Sequence, residues 1–166
     1  MKYFEDIARD RVHRQRCFVS WRSPTGFPNI LAEWEPDVVT LRLAGGGEMI
    51  VTVGDKPKMN MKDAVKLAPS YVHSMDAAHL MRCVVSAKRA GITSLLTVHD
   101  CWGCLAPDAA EMHRIFRTEL RAIYKHVTHG HINWLQHLAD NNGYGVPPVL
   151  GDYDPDELSL SDYGAS

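Results

Sequence analysis

One carboxylate lies in a stretch that is otherwise mostly apolar. Asp100 occurs within LLTVHDCWG, residues 95–103, where two short apolar arms on either side predict a hairpin. Burying an ionised carboxylate beside Val98 and Trp102 costs free energy unless a cation meets it. Mg²⁺ would do so, and it is commonly held by one or two carboxylates plus substrate phosphates, so a second carboxylate is required from elsewhere. The alternative is that Asp100 is the polar residue of a tight turn.

Two cysteines, one in this stretch and one directly after it, raise a second possible chemistry. Cys101 and Cys104 have CxxC spacing, with His99 and His113 nearby in the sequence. A structural zinc site needs four ligands, but the chain has no second CxxC, and alternate strand residues point to opposite faces. A redox pair would be expected within a thioredoxin-like βαβ pattern, which the segment lacks. A small zinc-binding or redox module is therefore the weaker hypothesis.

The elements that must position these residues alternate between strand and helix patterns. Two predicted helices, at residues 69–90 and 107–127, flank short strands at 93–99 and 102–105. The remaining predicted elements are a basic helix at 3–14, strands at 17–21, 28–34, 38–43 and 49–53, and a helix at 131–140. We predict an α+β fold with helices on one face of a small antiparallel sheet. The predicted buried stripe of the first long helix contains Met75, Ala78, Val84 and Ala87.

Composition and charge exclude several classes of protein. The chain has 166 residues, 45% of them hydrophobic and 23% charged, which suits one soluble domain. No apolar run reaches the roughly 18 residues of a membrane span, and the charged N-terminus does not resemble a secretory signal. The four cysteines are therefore expected to be reduced thiols in the cytoplasm. All 18 Lys and Arg lie in residues 1–130, whereas 131–166 form an acidic end, so nucleic-acid contact is permitted but not required.

Four stretches resemble, in order, the single-subunit RNA polymerases of the bacteriophage and mitochondrial type. Residues 98–103, VHDCWG, resemble the family's last palm motif, His-Asp-Ser-aromatic-Gly. Residues 68–80, APSYVHSMDAAHL, are similar to its Ala-Pro-Asn-Phe-Val-His-Ser-Leu-Asp helix. Residues 21–28, WRSPTGFP, resemble its Trp-(Thr/Ser)-Pro-X-Gly hairpin. The end of the chain, with GDYD at 151–154 and SDYGAS at 161–166, resembles the family's terminus.

The resemblance implies part of a two-metal nucleotidyl transferase. Its fold would be a partial polymerase palm, with an antiparallel hairpin carrying the metal aspartate and a C-terminal foot-like tail. Asp100 matches the second metal aspartate, His99 the adjacent histidine that supports the metal site, and His73 the histidine near the growing RNA end. Tyr163 and Ser166 belong to the foot, which packs close to the active site, and are expected cofactor-binding residues.

Two family motifs do not occur in the sequence. They are the motif with the first metal aspartate and the fingers helix with the lysine that meets the triphosphate. The resemblance therefore implies a larger RNA polymerase subunit that supplies both, without which this chain is inactive. The assembly would hold two Mg²⁺ ions, shared with a partner-chain aspartate, and would act on a DNA template, an RNA product and NTPs. We expect it in the cytoplasm of a phage-infected bacterium, without membrane contact.

Departures from the family pattern keep other interpretations open. Cys101 replaces a serine, Trp102 replaces a smaller aromatic residue, and residues 37–56 do not align clearly. The chain could be a natural split subunit, an excised domain, a gene remnant, or a non-catalytic palm-derived subunit that binds a polymerase or nucleic acid. We expect three parts, listed here in order: the N-terminal helix and hairpins at 1–60, the helix–hairpin–helix palm core at 61–140, and the acidic tail at 141–166.

Overall fold

Helices and hairpins alternate along the chain. The computed structural model describes residues 2–14, 18–58, 61–98, 101–126, 130–131, 133–146, 148–149, 151, 154 and 156–157. Its helices are α1 (Lys2–His13), α2 (Leu67–Arg89), α3 (Ala109–Tyr124) and α4 (Trp134–Asn141), with 3₁₀ turns at Met61–Lys66 and Ala106–Asp108. Its strands are β1 (Val19–Arg22), β2 (Pro28–Leu31), β3 (Glu33–Arg42), β4 (Glu48–Lys58), β5 (Leu95–Val98), β6 (Cys101–Cys104), β7 (Lys125–His126) and β8 (Gly130–His131). The α+β class predicted from the sequence is confirmed.

The strands do not combine into the single small sheet that we expected. In the described part of the chain they form four separate antiparallel hairpins: β1 with β2, β3 with β4, β5 with β6, and β7 with β8. Alternation of apolar residues identifies strands, but it does not determine which edges of different hairpins meet. Three of the hairpins are followed by a helical segment instead of a further strand, so the next strand in the sequence is not placed beside them.

The last helix begins later than the sequence predicted, at Trp134 instead of residue 131. The side chain of Asn133 accepts a hydrogen bond of 3.0 Å from the backbone N–H of Gln136, which makes Asn133 the N-cap. His131 pairs with Lys125 in the short β7–β8 hairpin instead of joining the helix. The capping side chain therefore fixes where α4 starts.

The long helix α2 runs through the middle of the fold. Its buried side includes Met75, His79, Cys83 and Ala87 at four-residue spacing. Cys83 is a small core residue, since its side chain is fully buried. Placing Val84 in the buried stripe was wrong, because it lies one position beyond this row and is exposed. Neither α2 nor any other described helix is both long and apolar enough to cross a membrane.

Two apolar clusters hold the helices together. The first joins α1, β1, α2, α3 and α4, and its most deeply buried residues are Ile7, Val19, Leu67, Ile123 and Leu138. The second lies between α2 and α3 and contains Cys83, Ala87, Ile92, Met112 and Ile115. The partly buried Trp102 and Phe116 pack against this second cluster. The β5–β6 hairpin is therefore seated on α2 and α3 from one side.

Two polar contacts fix the N-terminal hairpin and α4 to the rest of the fold. The buried side chain of Asn142 donates 2.8 Å hydrogen bonds to the carbonyls of Ser20 and Leu138 and accepts one of 3.0 Å from the Ser20 N–H. The Tyr71 hydroxyl donates a 2.8 Å bond to the Trp134 carbonyl. Because β1 and α2 are anchored in this way, the hairpin that follows β1 has a defined position beside α2.

Candidate active site

An open groove lies between α2, α3 and the β5–β6 hairpin, and we call it the α2–α3 groove. Its volume is about 760 Å³. It is lined by His73, Asp76, Ala77, His79 and Leu80 from α2, Trp102 from β6, and Phe116 and Leu120 from α3. Two imidazoles and a carboxylate thus share a concave surface with two aromatic rings, a combination typical of a ligand site.

His73 faces this groove as an exposed side chain. Asp76 lies one helical turn further along, and both residues line the groove. No hydrogen bond or ion pair joins the two side chains in the part of the chain that the structure describes. Asp76 therefore does not orient the His73 ring through a direct contact. The imidazole is available to a group that enters the groove.

The turn of α2 that carries His73 is held in place by contacts with the β1–β2 hairpin. The indole N–H of Trp21 donates a 2.8 Å hydrogen bond to Ser74 Oγ, and Ser74 Oγ donates one of 2.7 Å to the Tyr71 carbonyl. The Trp21 and Tyr71 rings also pack with their centroids 5.9 Å apart. The WRSPTGFP hairpin thus fixes the position of the backbone from which His73 projects.

The β5–β6 hairpin presents two different faces. Leu95 pairs with Cys104 and Thr97 with Trp102, so these residues share the face that packs on the helices. The opposite face carries Leu96 and Val98, of which Leu96 is 67% exposed. Val98 pairs with Cys101, which places Cys101 on the face opposite to Cys104. The two thiols therefore do not point together toward one ion, as a CxxC zinc site would require.

Four predicted site residues lie outside the described residues. His99 and Asp100 stand between the paired residues Val98 and Cys101 in the sequence, and Tyr163 and Ser166 belong to the end of the chain. Of the predicted catalytic residues, the structure therefore places His73 alone. It brings His73 to the same groove as Trp102, which follows Asp100 by two positions in the sequence.

A row of rings forms one wall of the groove. The His79 and Phe116 rings meet edge to face with centroids 4.4 Å apart, and Phe116 meets Trp102 in the same way at 6.4 Å. His79 Nε2 lies 2.9 Å from the Phe116 carbonyl oxygen and 3.3 Å from the Cys83 sulfur. Burial lowers the pKa of His79, although the Phe116 carbonyl and nearby carboxylates act against it. This histidine is a buried, hydrogen-bonded structural group.

Sequence reasoning missed the polar contact that joins α2 to α3. Glu119 accepts hydrogen bonds of 2.8 Å from Arg82 Nε and 2.5 Å from the Ser86 hydroxyl. Arg82 and Ser86 are four residues apart on α2 and so share a face. That spacing was visible in the sequence, but nothing in it identified Glu119 as the partner. Together with the His79 bond, this contact sets the spacing of the two groove walls.

The described residues contain no complete metal site. No group of three or more His, Cys, Asp or Glu side chains gathers within them. The potential metal ligands that line the α2–α3 groove are the Asp76 carboxylate and the imidazoles of His73 and His79. His79 is already hydrogen-bonded to the Phe116 carbonyl. Carboxylate oxygens suit Mg²⁺, so this donor set is compatible with part of a site whose remaining ligands come from elsewhere.

Comparison with known proteins places the chain in a family. Residues 2–141 match the family model described as DNA-dependent RNA polymerase. T7 RNA polymerase of Escherichia phage T7 is 30% identical over 128 residues, which are 73% of this chain and 14% of that protein. The mitochondrial DNA-directed RNA polymerase 1 of Arabidopsis thaliana is 26% identical over 162 residues, 97% of this chain and 16% of that protein.

A human relative gives the same result over a shorter region. The mitochondrial DNA-directed RNA polymerase of Homo sapiens is 27% identical over 106 residues, 61% of this chain and 8% of that protein. The chain thus spans about one seventh of the phage relative's length. The family match nevertheless covers most of the chain, from α1 to the end of α4. The chain therefore belongs to the single-subunit DNA-dependent RNA polymerase family, as its motifs predicted.

Proposed function

We propose that this chain is the C-terminal palm portion of a DNA-directed RNA polymerase and works only with a larger protein portion. The observation that carries the proposal is the α2–α3 groove, where His73 of one family motif and Trp102 of another line the same surface. Motifs that are far apart in the sequence converge when they act on one substrate. The stretch of this chain that aligns with the phage relative covers about one seventh of that protein, which leaves most of the enzyme to a larger portion.

The proposed reaction is template-directed nucleotidyl transfer. The RNA 3′ oxygen attacks the α-phosphorus of an NTP, the new P–O bond forms, the bond from the α-phosphorus to the bridging oxygen breaks, and pyrophosphate leaves. The attacking hydroxyl loses its proton, and negative charge grows on the leaving oxygen. Two Mg²⁺ ions would promote this chemistry by acidifying the hydroxyl and neutralising the charge on pyrophosphate. Asp100 is the residue of this chain that we assign to them, together with an aspartate of the larger portion.

The other predicted site residues and the rings of the groove have supporting roles in this proposal. His73 is exposed on the groove and bonds the RNA end or the incoming nucleotide. His99 supports the geometry of Asp100, and Tyr163 and Ser166 close the site from the C-terminal foot. The rings of Trp102 and Phe116 form the apolar floor that holds the β5–β6 hairpin against α3. The position of the β5–β6 hairpin therefore depends on packing that the chain provides itself.

The partners follow from the same assignment. A larger polymerase portion supplies the first aspartate and the fingers, and the assembly binds a DNA template, the RNA product and NTPs. The three-part division at residues 1–60, 61–140 and 141–166 belongs to this proposal, with the second part as the catalytic core. A phage-infected bacterial cytoplasm is the proposed place of action, since phage T7 supplies one of the relatives.

The proposal is tested by comparing two Asp→Asn variants in the polymerase recovered through a tagged chain from its native host. We expect Asp100→Asn to lower RNA synthesis at least about 100-fold, because several kcal/mol of transition-state stabilisation are lost. Asp108→Asn is the matched control, since Asp108 makes no side-chain cap bond at the start of α3 and asparagine caps equally well. Equal synthesis by wild type and Asp100→Asn would refute the catalytic assignment.

A second candidate function is a non-catalytic subunit that binds a polymerase. One observation favours it: the β3–β4 hairpin exposes many apolar side chains, as a surface that binds another protein does. In that case Asp100→Asn would leave synthesis unchanged, while loss of the chain from the assembly would lower it. The same pair of variants therefore separates the two functions.

A further inference from the structure

The acidic end of the chain is tied to α3 through one carboxylate. Arg121 Nε donates a hydrogen bond to Asp156 Oδ1, and Lys125 Nζ donates one to Asp156 Oδ2. Arg121 lies in the last turn of α3, and Lys125 directly follows its last residue, Tyr124. All three charged side chains are less than half exposed. We call this contact between Asp156 and the two cations the Asp156 clasp.

The geometry of the clasp differs from that of an ordinary surface ion pair. A single exposed pair contributes little, because solvent screens it and two long side chains lose freedom. Asp156 instead uses both carboxylate oxygens and meets two cations, and hydrogen bonds between charged groups are the stronger kind. The backbone N–H of Asp156 also donates a 2.9 Å bond to Asp154 Oδ1, and that of Glu157 donates one of 3.0 Å to the Asp154 carbonyl. This turn holds the Asp156 carboxylate toward α3.

The clasp lies at the end of one wall of the α2–α3 groove. Phe116 and Leu120 line that groove from α3, and Arg121 directly follows Leu120. At a rise of about 1.5 Å per residue, Arg121 is roughly 8 Å along the helix from Phe116. Ten residues, 157–166, follow Asp156 in the sequence, and ten extended residues can span up to roughly 33 Å. The groove is therefore well within reach of the residues that follow the clasp.

The clasp also shortens the unanchored part of the chain. An earlier anchor is the Val146 carbonyl, which accepts a 2.8 Å hydrogen bond from the Tyr3 hydroxyl. Between these two anchors, Val149 is 98% exposed. If Asp156 were released, the tether to the last residue would lengthen from ten residues to twenty. The effective concentration of a tethered group falls about as the −3/2 power of the tether length, so this doubling lowers it roughly threefold.

Arg121 and Lys125 suit this carboxylate better than they suit a phosphate group. Neighbouring cations do attract phosphate oxygens. Here, however, a carboxylate of the same chain already neutralises them, and residues 131–166 contain six acidic residues and no Lys or Arg. A nucleic acid at this place would have to displace a tethered anion and would meet the negative charge of the acidic end. The observations therefore favour a tether over a nucleic-acid site.

We propose that Asp156 is a positioning residue, whose clasp makes the last ten residues leave α3 beside the α2–α3 groove. That Tyr163 and Ser166 then act on the nucleotide rests on the proposed function. The clasp places the backbone, so these two residues need not hold the end of the chain by themselves. Its attraction is electrostatic, and the Debye length falls from about 10 Å at 0.1 M salt to about 3 Å at 1 M. The placement of the last ten residues therefore depends on ionic strength.

The test uses the polymerase recovered from its native host, with a photoreactive benzophenone amino acid in place of Tyr163. We expect cross-links within the chain to peptides of α2 or α3. Asp156→Asn should lower their yield at least about threefold through the longer tether, whereas Asp156→Glu keeps the carboxylate and should retain most of it. Glu157→Gln removes the exposed neighbouring charge and is the matched control, with an unchanged yield. Equal yields with and without Asp156→Asn, or an equal fall in Glu157→Gln, would overturn the proposal.

Hydrogen exchange keeps the test decisive if no cross-link forms. Backbone amides of residues 157–166 should exchange more slowly at about 0.1 M salt than at about 1 M, and in Asp156→Asn they should exchange fast at both. Equal exchange in the two proteins at low salt would overturn the proposal. So would tighter binding of a DNA oligonucleotide by Asp156→Asn, because the carboxylate would then shield a nucleic-acid site. RNA synthesis that survives Asp100→Asn would refute only the proposed function, since cross-linking and exchange measure placement without catalysis.

Discussion

His79 Nε2 lies 2.9 Å from the backbone carbonyl oxygen of Phe116, and this contact ties the long helix α2 to α3. The imidazole also packs edge to face on the Phe116 ring, which in turn meets Trp102. A single buried histidine thereby links both helices to the strand that follows Asp100 in the sequence. Its protonation state bears on the stability of the fold and on the shape of the α2–α3 groove.

The pH dependence of stability follows from the lowered pKa of His79. Burial lowers this pKa from its usual 6.5, so the unfolded chain binds the proton more readily than the folded chain does. The stabilisation is full above pH 6.5 and decreases as the pH falls from 6.5 toward the lower folded-state pKa. Urea unfolding at pH 7.5 and at more acidic pH measures it. We expect His79→Gln to weaken this dependence and the exposed His13→Gln to leave it intact; an unchanged slope in His79→Gln would contradict the assignment.

The contact of Glu119 with Arg82 and Ser86 should contribute to stability. Glu119→Gln removes the charge from a partly buried carboxylate that accepts two hydrogen bonds, so we expect the free energy of unfolding to fall by about 1–2 kcal/mol. Glu111→Gln removes an exposed ion pair with Arg114 within α3 and should change stability little. Denaturant unfolding compares the two variants. Equal effects would show that the contact between α2 and α3 is no stronger than a surface pair.

Gly91 ends α2 in a conformation that favours glycine. Its φ is 86°, and the N–H groups of Gly91 and Ile92 bond to the carbonyls of Lys88 and Ala87 at 3.1 and 2.9 Å. No atom lies within 4 Å of an added Cβ, so Gly91→Ala should cost about 1 kcal/mol through backbone strain alone. Gly145→Ala, which also meets open space but lacks a positive φ, is the control. Thermal unfolding that separates the two variants would confirm the strain.

His73 is exposed, so its replacement should affect activity more than folding. We expect His73→Gln to lower kcat/KM for the nucleotide about 10- to 100-fold in the assembled polymerase, because one hydrogen-bonding group at the reacting end is lost. The melting temperature should stay unchanged. His113→Gln is the control, since His113 is absent from the groove lining. A fall in melting temperature large enough to account for the lost activity would instead give His73 a structural role.

Local patterns identified the elements of the fold but not their assembly. The helical spacing of α2 predicted its C-terminal end to within one residue, at residue 90 against Arg89, and Asn133 explains why α4 starts later than expected. Which hairpins meet depends on packing between distant segments, and no local pattern contains that information. The β3–β4 hairpin shows this most clearly, because its strands were predicted, whereas the absence of extensive packing on it by any other described element was not.

The candidate site was predictable only in part. The family motifs identified His73 and the segment around Trp102, and the structure brings these two side chains to one groove. The wall formed by His79 and Phe116 was not foreseen, since a histidine in an apolar stripe gives no sign of its partner. His99, Asp100, Tyr163 and Ser166 lie outside the described residues and remain predictions.

The assignment of Asp100 as a metal ligand is tested most directly by changing the donor atom. RNA synthesis by the assembled polymerase carrying Asp100→Cys is measured in Mg²⁺ alone and with added Mn²⁺, which accepts a thiolate ligand more readily than Mg²⁺ does. We predict that synthesis is lost in Mg²⁺ and partly restored by Mn²⁺, whereas wild-type synthesis needs no Mn²⁺. Synthesis at the wild-type rate by Asp100→Cys in Mg²⁺ alone would contradict the assignment.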